Sequence, residues 1–182
     1  MIIIVEFKFL LVQGRALPQE ESMQCFPSNW KEEFPLIKKL GFYGIEWIYD
    51  KKSETTNPIL TETGRNEMIK YSLKNQVSLE NIVLDWFITH PLLKNEKFSI
   101  DEKIEKLKFL IKSSSKVGFK RVIIPLLEEN SITQNDQKIK FIKIFKKISK
   151  ELDKYDMELH LETSLNPNDE KKLLEEINHP KL

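Results

Sequence analysis

Cysteine and glycine are both scarce in this chain. Cys25 is the only cysteine among 182 residues, so an internal disulfide framework is excluded. A single thiol is typical of a reducing compartment, and we therefore expect a cytoplasmic protein. Only five glycines are present. Neither a GxGxxG nor a GxxxxGK[ST] motif occurs, which argues against a nucleotide-binding phosphate loop.

An excess of charge of one sign is also lacking. Lys and Arg together number 29 and Asp and Glu number 28, which gives a formal net charge of +1. No overall electrostatic field then favours nucleic acid or an anionic membrane surface. Arginine, whose planar fork suits phosphate, occurs only three times. We expect neither nucleic acid nor a membrane as a partner.

No apolar run in the sequence is long enough to cross a bilayer. The most apolar segment is the N-terminal MIIIVEFKFLLV, which Glu6 and Lys8 interrupt. A membrane-spanning helix needs about 20 apolar residues, and the segment also lacks the basic lead and the cleavage site of a signal peptide. Its β-branched and aromatic residues favour a buried strand instead.

Alternation of strand-like and helix-like segments is the dominant pattern that is present. The strands are predicted at about 2–12, 43–49, 78–87, 121–127 and 157–162. The helices between and after them are predicted at 29–40, 62–75, 101–117, 136–155 and 167–177. The repeat of about 38 residues continues without a linker, so we expect one domain over residues 1–182.

Strands that alternate with helices indicate an α/β fold with a parallel sheet and right-handed crossovers. Two architectures fit. One is an open doubly wound sheet, which would be complete at this length. The other is an incomplete (β/α)8 barrel of the TIM type with about five βα units. The missing phosphate loop and the start of a further strand-like segment after the last helix favour the barrel.

Polar residues recur where the predicted strands end. Arg15 follows the first strand, Glu46 and Asp85 lie on the second and third, and Glu128 and Glu162 follow the fourth and fifth. Both architectures place their functional sites at the carboxyl edge of the sheet. The series therefore predicts a site at this edge, whichever fold the chain adopts.

The motifs at these strand ends resemble a known family. They are Gln13-Gly14-Arg15, Gly44-Ile45-Glu46-Trp47, Asp85-Trp86-Phe87, Ile124-Pro125 and Leu161-Glu162-Thr163. Their order and spacing resemble the sugar phosphate isomerase/epimerase family of xylose isomerase-like TIM barrels. The resemblance implies a small sugar or sugar phosphate as substrate and a divalent metal, Mg²⁺, Mn²⁺, Co²⁺ or Zn²⁺, as cofactor. It implies proton transfer next to a carbonyl as the reaction.

The same resemblance implies roles for individual residues. Glu162 would be a metal ligand and the catalytic base. The substrate contacts would be Arg15, Glu46, Asp85, His90 and Glu128. Without the resemblance, the residue types also allow structural roles. Glu46 could form an ion pair with Arg15, and Asp85 could cap the loop that follows it.

The family pattern continues with an Asp, a His and a Glu on strands six to eight, which this sequence does not contain. We therefore expect a C-terminally truncated member with an incomplete metal site and doubtful full activity. A non-catalytic fragment or a binding half-barrel is the alternative, and a relative of abasic-site endonucleases is the least favoured interpretation. An open sheet would also expose a strand edge, through which the chain could form a homo-oligomer.

Overall fold

A computed structural model describes residues 7–17, 25–94 and 96–182. The strands are β1 (Leu10–Val12), β2 (Gly44–Ile48), β3 (Ser78–Val83), β4 (Arg121–Leu126) and β5 (Glu158–Thr163). The helices are α1 (Glu33–Leu40), α2 (Glu62–Asn75), α3 (Trp86–Thr89), α4 (Ile100–Val117), α5 (Asn135–Tyr155) and α6 (Pro167–Ile177). Short 3₁₀ turns precede α1 and α2 and follow β4.

The five strands form one parallel sheet in the order β1-β2-β3-β4-β5. A doubly wound sheet reverses its strand order at a switch point, and this sheet does not. Right-handed crossovers that all step in the same direction place their helices on one face, as in a TIM barrel. The predicted barrel-type α/β fold is confirmed, and the open sheet fits an incomplete barrel.

The hydrophobic core lies between the sheet and the helices. Alternate residues of the strands, such as Trp47, Val122 and Leu159, are buried there. They pack with apolar side chains from the helices, including Phe34 of α1 and Leu107 of α4. Because side chains alternate along a strand, the intervening residues face the opposite side, which would be the interior of a closed barrel. We call this side the inner face.

Local signals in the sequence account for most helix boundaries. Thr61 caps α2 by accepting a hydrogen bond from the Gly64 amide at 3.0 Å. Gly118 ends α4 with a left-handed φ of 102°, a conformation that glycine adopts without steric cost. The predicted limits of α2 and α6 agree with the structure.

Two predicted strands differ from the structure. The strand predicted at 78–87 ends at Val83, because Asp85 has helical backbone angles and α3 follows it. A short apolar run fits a strand and a helical turn equally well, so the sequence could not separate them. Within the strand predicted at 2–12, residues 10–12 form β1, and residues 1–6 lie outside the described part of the chain.

β5 is the last strand of the sheet, and its outer edge pairs with only a short piece of backbone. The Leu159 amide donates a hydrogen bond of 2.7 Å to the carbonyl of Lys181, so the last residues lie beside the start of β5. Over the ranges that the structure describes, no helix is long and apolar enough to cross a membrane.

Candidate active site

Glu162 lies near the carboxyl end of β5, on the inner face of the sheet. Leu159 is buried in the core and Leu161 packs against it, so Glu162 points to the other side together with Glu158 and His160. The Glu162 side chain is exposed, and no described residue engages its carboxylate in a hydrogen bond or an ion pair. This carboxylate is therefore free to meet a ligand at the mouth of the barrel.

A row of polar side chains crosses the inner face closer to the amino-terminal ends of β4 and β5. Glu46, Asn81, Arg121 and Glu158 are in register on four successive strands. Asn81 Nδ2 donates to Glu46 Oε2 at 3.2 Å, and Arg121 Nη1 donates to Asn81 Oδ1 at 3.4 Å. Arg121 Nε donates to Glu158 Oε2 at 3.1 Å. We refer to these four residues as the polar row.

Glu46, as a member of the polar row, lies at a different level of the inner face from Glu162. Glu158 and Glu162 are four residues apart on β5, which corresponds to about 13 Å along a strand. Glu46 lies at the level of Glu158, and its recorded partner is Asn81. Glu46, a predicted substrate contact, therefore lies nearer the amino-terminal ends of the strands than Glu162, the predicted base.

Three other predicted contacts lie on loops at the same edge as Glu162. Arg15 is exposed in the turn after β1, and Asp85 is half-buried between β3 and α3. Glu128 is exposed and begins the 3₁₀ turn after β4 with a left-handed φ of 50°. The topology thus places Arg15, Asp85 and Glu128 at the carboxyl edge of the sheet, and their role as substrate contacts stays a prediction.

His90 is buried, with 7% of its surface exposed. Its ring lies 4.4 Å from that of Trp86 and 5.1 Å from that of Phe98. Among the described residues, its Nε2 atom has no hydrogen-bond partner, and it lies 3.9 Å from Glu54 Oε2. Burial lowers the pKa of His90, so the neutral imidazole is favoured. His90 supports an aromatic cluster rather than reaching into the mouth of the barrel.

A buried carboxyl beside β1 escaped the sequence reasoning. Glu33 of α1 is fully buried and accepts a 2.7 Å hydrogen bond from the Gly14 amide. Burial raises its pKa to about 7, although contacts with Gly14, Gln13 and Ala16 oppose this shift. Gln13 Nε2 and Glu33 Oε2 do not reach hydrogen-bond geometry with any group in the described part of the chain. Glu33 lies three residues after Trp30 and four before Ile37, both of which are buried, and this helical spacing is the signal for its burial in the sequence.

Gly14 is required at this place by its surroundings. Its φ is 86°, and a Cβ atom there would lie 2.4 Å from the backbone oxygen of Cys25. Glycine alone avoids both the left-handed strain and the clash. The loop after β1 is therefore held in one path, with the Gly14 amide directed at Glu33.

The described residues fit a divalent metal only in part. Hard cations prefer several oxygen ligands, and within 7–17, 25–94 and 96–182 no three His, Cys, Asp or Glu side chains come together as a ligand set. Glu162 supplies a single free carboxylate. We therefore assign no chemical step to a metal.

The chain was compared with known proteins. No family model and no curated protein matches it. Solved structures do match. The apo form of 3-keto-D-glucoside 4-epimerase YcjR from E. coli superposes with a TM-score of 0.68 at 12% identity, covering 97% of this chain and 66% of that one.

Two further structures are similar. The IolI protein with a binding zinc atom matches with a TM-score of 0.67 at 17% identity, over 96% of this chain and 60% of that one. D-psicose 3-epimerase from Clostridium cellulolyticum H10, with D-tagatose, has a TM-score of 0.68 at 13% identity, over 85% and 56%. This chain thus spans between about half and two thirds of the length of these proteins. At these identities the similarity shows the fold, and the predicted resemblance to xylose isomerase-like TIM barrels is confirmed at that level.

Proposed function

We propose that this chain acts in the isomerisation or epimerisation of a small sugar or sugar phosphate, with Glu162 as the proton-transfer base. The observation that carries the proposal is the free Glu162 carboxylate at the carboxyl edge of a barrel-type sheet. It is supported by the structural neighbours, two of which are named as sugar epimerases.

The reaction needs a base beside the carbon next to a carbonyl. The Glu162 carboxylate would take the proton from that carbon, and the electron pair of the C–H bond would move to form an enediolate. Return of the proton to the opposite face or to the adjacent carbon completes an epimerisation or an isomerisation. Glu162 suits this role because no cation in residues 7–17, 25–94 and 96–182 holds its charge in an ion pair.

Arg15, Asp85 and Glu128 would orient the substrate from the loops around Glu162. The guanidinium of Arg15 is the group suited to a substrate phosphate, since its planar fork can donate two parallel hydrogen bonds. Carboxylates of Asp85 and Glu128 accept from sugar hydroxyls. Glu46 and His90, the remaining predicted contacts, would act more indirectly from their positions below and beside the mouth.

Divalent-metal dependence is a separate part of the proposal. One neighbour is described with a zinc atom, and Mg²⁺, Mn²⁺, Co²⁺ and Zn²⁺ are the candidates here. Glu162 would be one ligand among others. Calorimetric titration with Mn²⁺ should give weaker binding for Glu162→Ala than for the wild-type chain, and equal affinity would remove Glu162 as a ligand.

A non-catalytic sugar-binding half-barrel is the second candidate. It is favoured by the missing ligand cluster among the described residues and by the engagement of Glu46 with Asn81. A conversion assay separates the two candidates. Purified chain with D-fructose and Mn²⁺ should form an epimer or an aldose, detected by chromatography, and Glu162→Gln should abolish the product. Absence of product from wild type would favour the binding candidate.

We also propose that two copies associate through the part of the β5 edge that lies beyond Leu159, whose amide already pairs with Lys181. An unpaired strand edge is a template for pairing with another chain. Light scattering should therefore show a dimer, and a monomer at high concentration would contradict this.

The lone thiol of Cys25, which is not in a disulfide, supports a cytoplasmic location, and we propose no nucleic acid or membrane partner.

A further inference from the structure

The turn after β1 is attached to α1 through one buried side chain. Glu33 is fully buried at the start of α1, and its Oε1 atom accepts a hydrogen bond of 2.7 Å from the Gly14 amide. Burial raises the pKa of this carboxyl, while the Gly14 amide, the Gln13 side chain and the Ala16 amide act in the opposite direction. Three donors from one short segment therefore surround a single carboxyl group, as backbone amides do around a bound anion.

Arg15 is the residue between the two amides that Glu33 holds. Its own amide donates a hydrogen bond of 3.3 Å to the Val12 carbonyl, which closes the turn. The Arg15 side chain is exposed, whereas Gly14 on one side of it is buried. Because the backbone before and after Arg15 is tied to a group inside the protein, the guanidinium extends from a fixed point at the carboxyl edge of the sheet.

The anchor of the turn is itself rigid on both sides. Gln13 Oε1 accepts a hydrogen bond of 3.0 Å from the Ile48 amide at the end of β2, which joins the turn to the sheet. On the other side, Glu33 begins a helix whose Phe34 and Ile37 lie in the hydrophobic core. The position of Arg15 is thus set relative to both the sheet and α1.

Packing alone does not account for an acid at this place. Removing a carboxyl group from water is unfavourable, and an apolar side chain would avoid that cost. Within the part of the chain that the structure describes, Glu33 Oε2 and Gln13 Nε2 lack hydrogen-bond partners, so the cost is offset only in part. What the carboxyl adds, and an apolar side chain would not, is the hold on the backbone around Arg15.

We propose that Glu33 is a positioning residue, which holds Arg15 through the amides of Gly14 and Ala16 so that the guanidinium can bind the phosphate of a sugar phosphate. This inference rests on the proposed function, in which Arg15 contacts the substrate phosphate. Glu33 is fully buried and touches no substrate. It acts by removing the freedom that the turn would otherwise lose on binding, and it thereby sets the preference of the site for phosphorylated over neutral sugars.

Glu33→Ala and Glu32→Ala form a matched pair at the start of α1. Glu32 is exposed and accepts a hydrogen bond of 3.0 Å from the Asn29 side chain, away from the turn. Calorimetric titrations use D-fructose 6-phosphate and D-fructose at pH 8, where the phosphate is a dianion. Glu33→Ala should weaken binding of the phosphorylated sugar about fivefold, and binding of D-fructose less than about twofold. Glu32→Ala should change neither affinity.

Glu33→Gln keeps the size of the side chain and one acceptor for the Gly14 amide. It should give an intermediate loss of affinity for D-fructose 6-phosphate, and it provides the same comparison if Glu33→Ala does not fold. In an Arg15→Ala background, replacement of Glu33 should cause no further loss, because its effect passes through Arg15. An equal loss with and without Arg15 would overturn the proposal, since Glu33 would then act on the fold as a whole.

The order of the Arg15 backbone amide, measured by ¹⁵N relaxation without ligand, tests the link independently of any reaction. Its order parameter should be about 0.85 in the wild type and in Glu32→Ala, and should fall below about 0.6 in Glu33→Ala. A rigid Arg15 amide in Glu33→Ala would contradict this inference alone. Failure of the wild type to bind D-fructose 6-phosphate would instead contradict the proposed substrate, and the inference with it.

Discussion

The two faces of the sheet are built differently. On the helix side, Trp47, Val122 and Leu159 join a continuous apolar core. On the inner face, the polar row replaces the layer of bulky branched residues that usually fills a TIM barrel. Three hydrogen bonds link the members of the row to one another. The comparison indicates that the helix side supplies most of the stability and that the inner face is compatible with solvent.

The largest loss of stability should follow from a substitution on the helix side of the sheet. Trp47→Ala removes a fully buried side chain that contacts the rings of Phe26, Trp30 and Phe34. It should lower the free energy of unfolding by about 3–5 kcal/mol in urea denaturation. Phe109→Ala, at an exposed position of α4, serves as the control, with a change within about 0.5 kcal/mol. Comparable losses in the two variants would contradict a core on this side.

Glu33 should make stability depend on pH. Its pKa is raised to about 7 in the folded chain from an ordinary value of 4.5. Its contribution to stability is therefore fully present below about pH 4.5 and is lost as the pH rises through about 7. As the pH rises from 4.5 to 8, the free energy of unfolding of Glu33→Gln should increase by about 3 kcal/mol relative to that of the wild type. Denaturation at both pH values checks this, and a difference that does not change with pH would refute it.

The polar row should contribute less to the free energy of unfolding than Trp47 or Glu33. Arg121 is 34% exposed and lies near Glu80 and Glu158, so solvent screens its ion pairs. Arg121→Met should cost about 1 kcal/mol, and a double-mutant cycle with Glu158→Gln should assign part of that loss to their contact. A loss as large as that of Trp47→Ala would show that the inner face carries the stability after all.

The sequence predicted the repeating architecture better than the contacts on the inner face. Hydrophobic periodicity and the caps at Thr61 and Gly118 were sufficient to predict the helices and a parallel sheet. Partners across strands depend on register, which a sequence does not display. A shift between Ile45 and Glu46 pairs Glu46 with Asn81, whereas the sequence suggested Arg15 as its partner.

The surroundings of Trp86 were hidden for a related reason. Four segments meet there only in the folded chain: the loop after β2, helix α3, the loop that contains Phe98, and the first half of α4. The run that contains Trp86 was predicted as the end of a strand, so its side chains were assigned to the sheet. The burial of Glu33 likewise depends on packing against the loop after β1.

Exchange of substrate hydrogen with solvent tests the central claim most directly, because it detects proton transfer even without net product. In D₂O with Mn²⁺, the wild-type chain should incorporate deuterium into D-fructose next to the carbonyl, as measured by mass spectrometry. Glu162→Gln should slow this at least about 100-fold, while Glu158→Gln, in the polar row, should stay close to wild type. Equal incorporation by wild type and Glu162→Gln, or none above the buffer rate, would contradict the account.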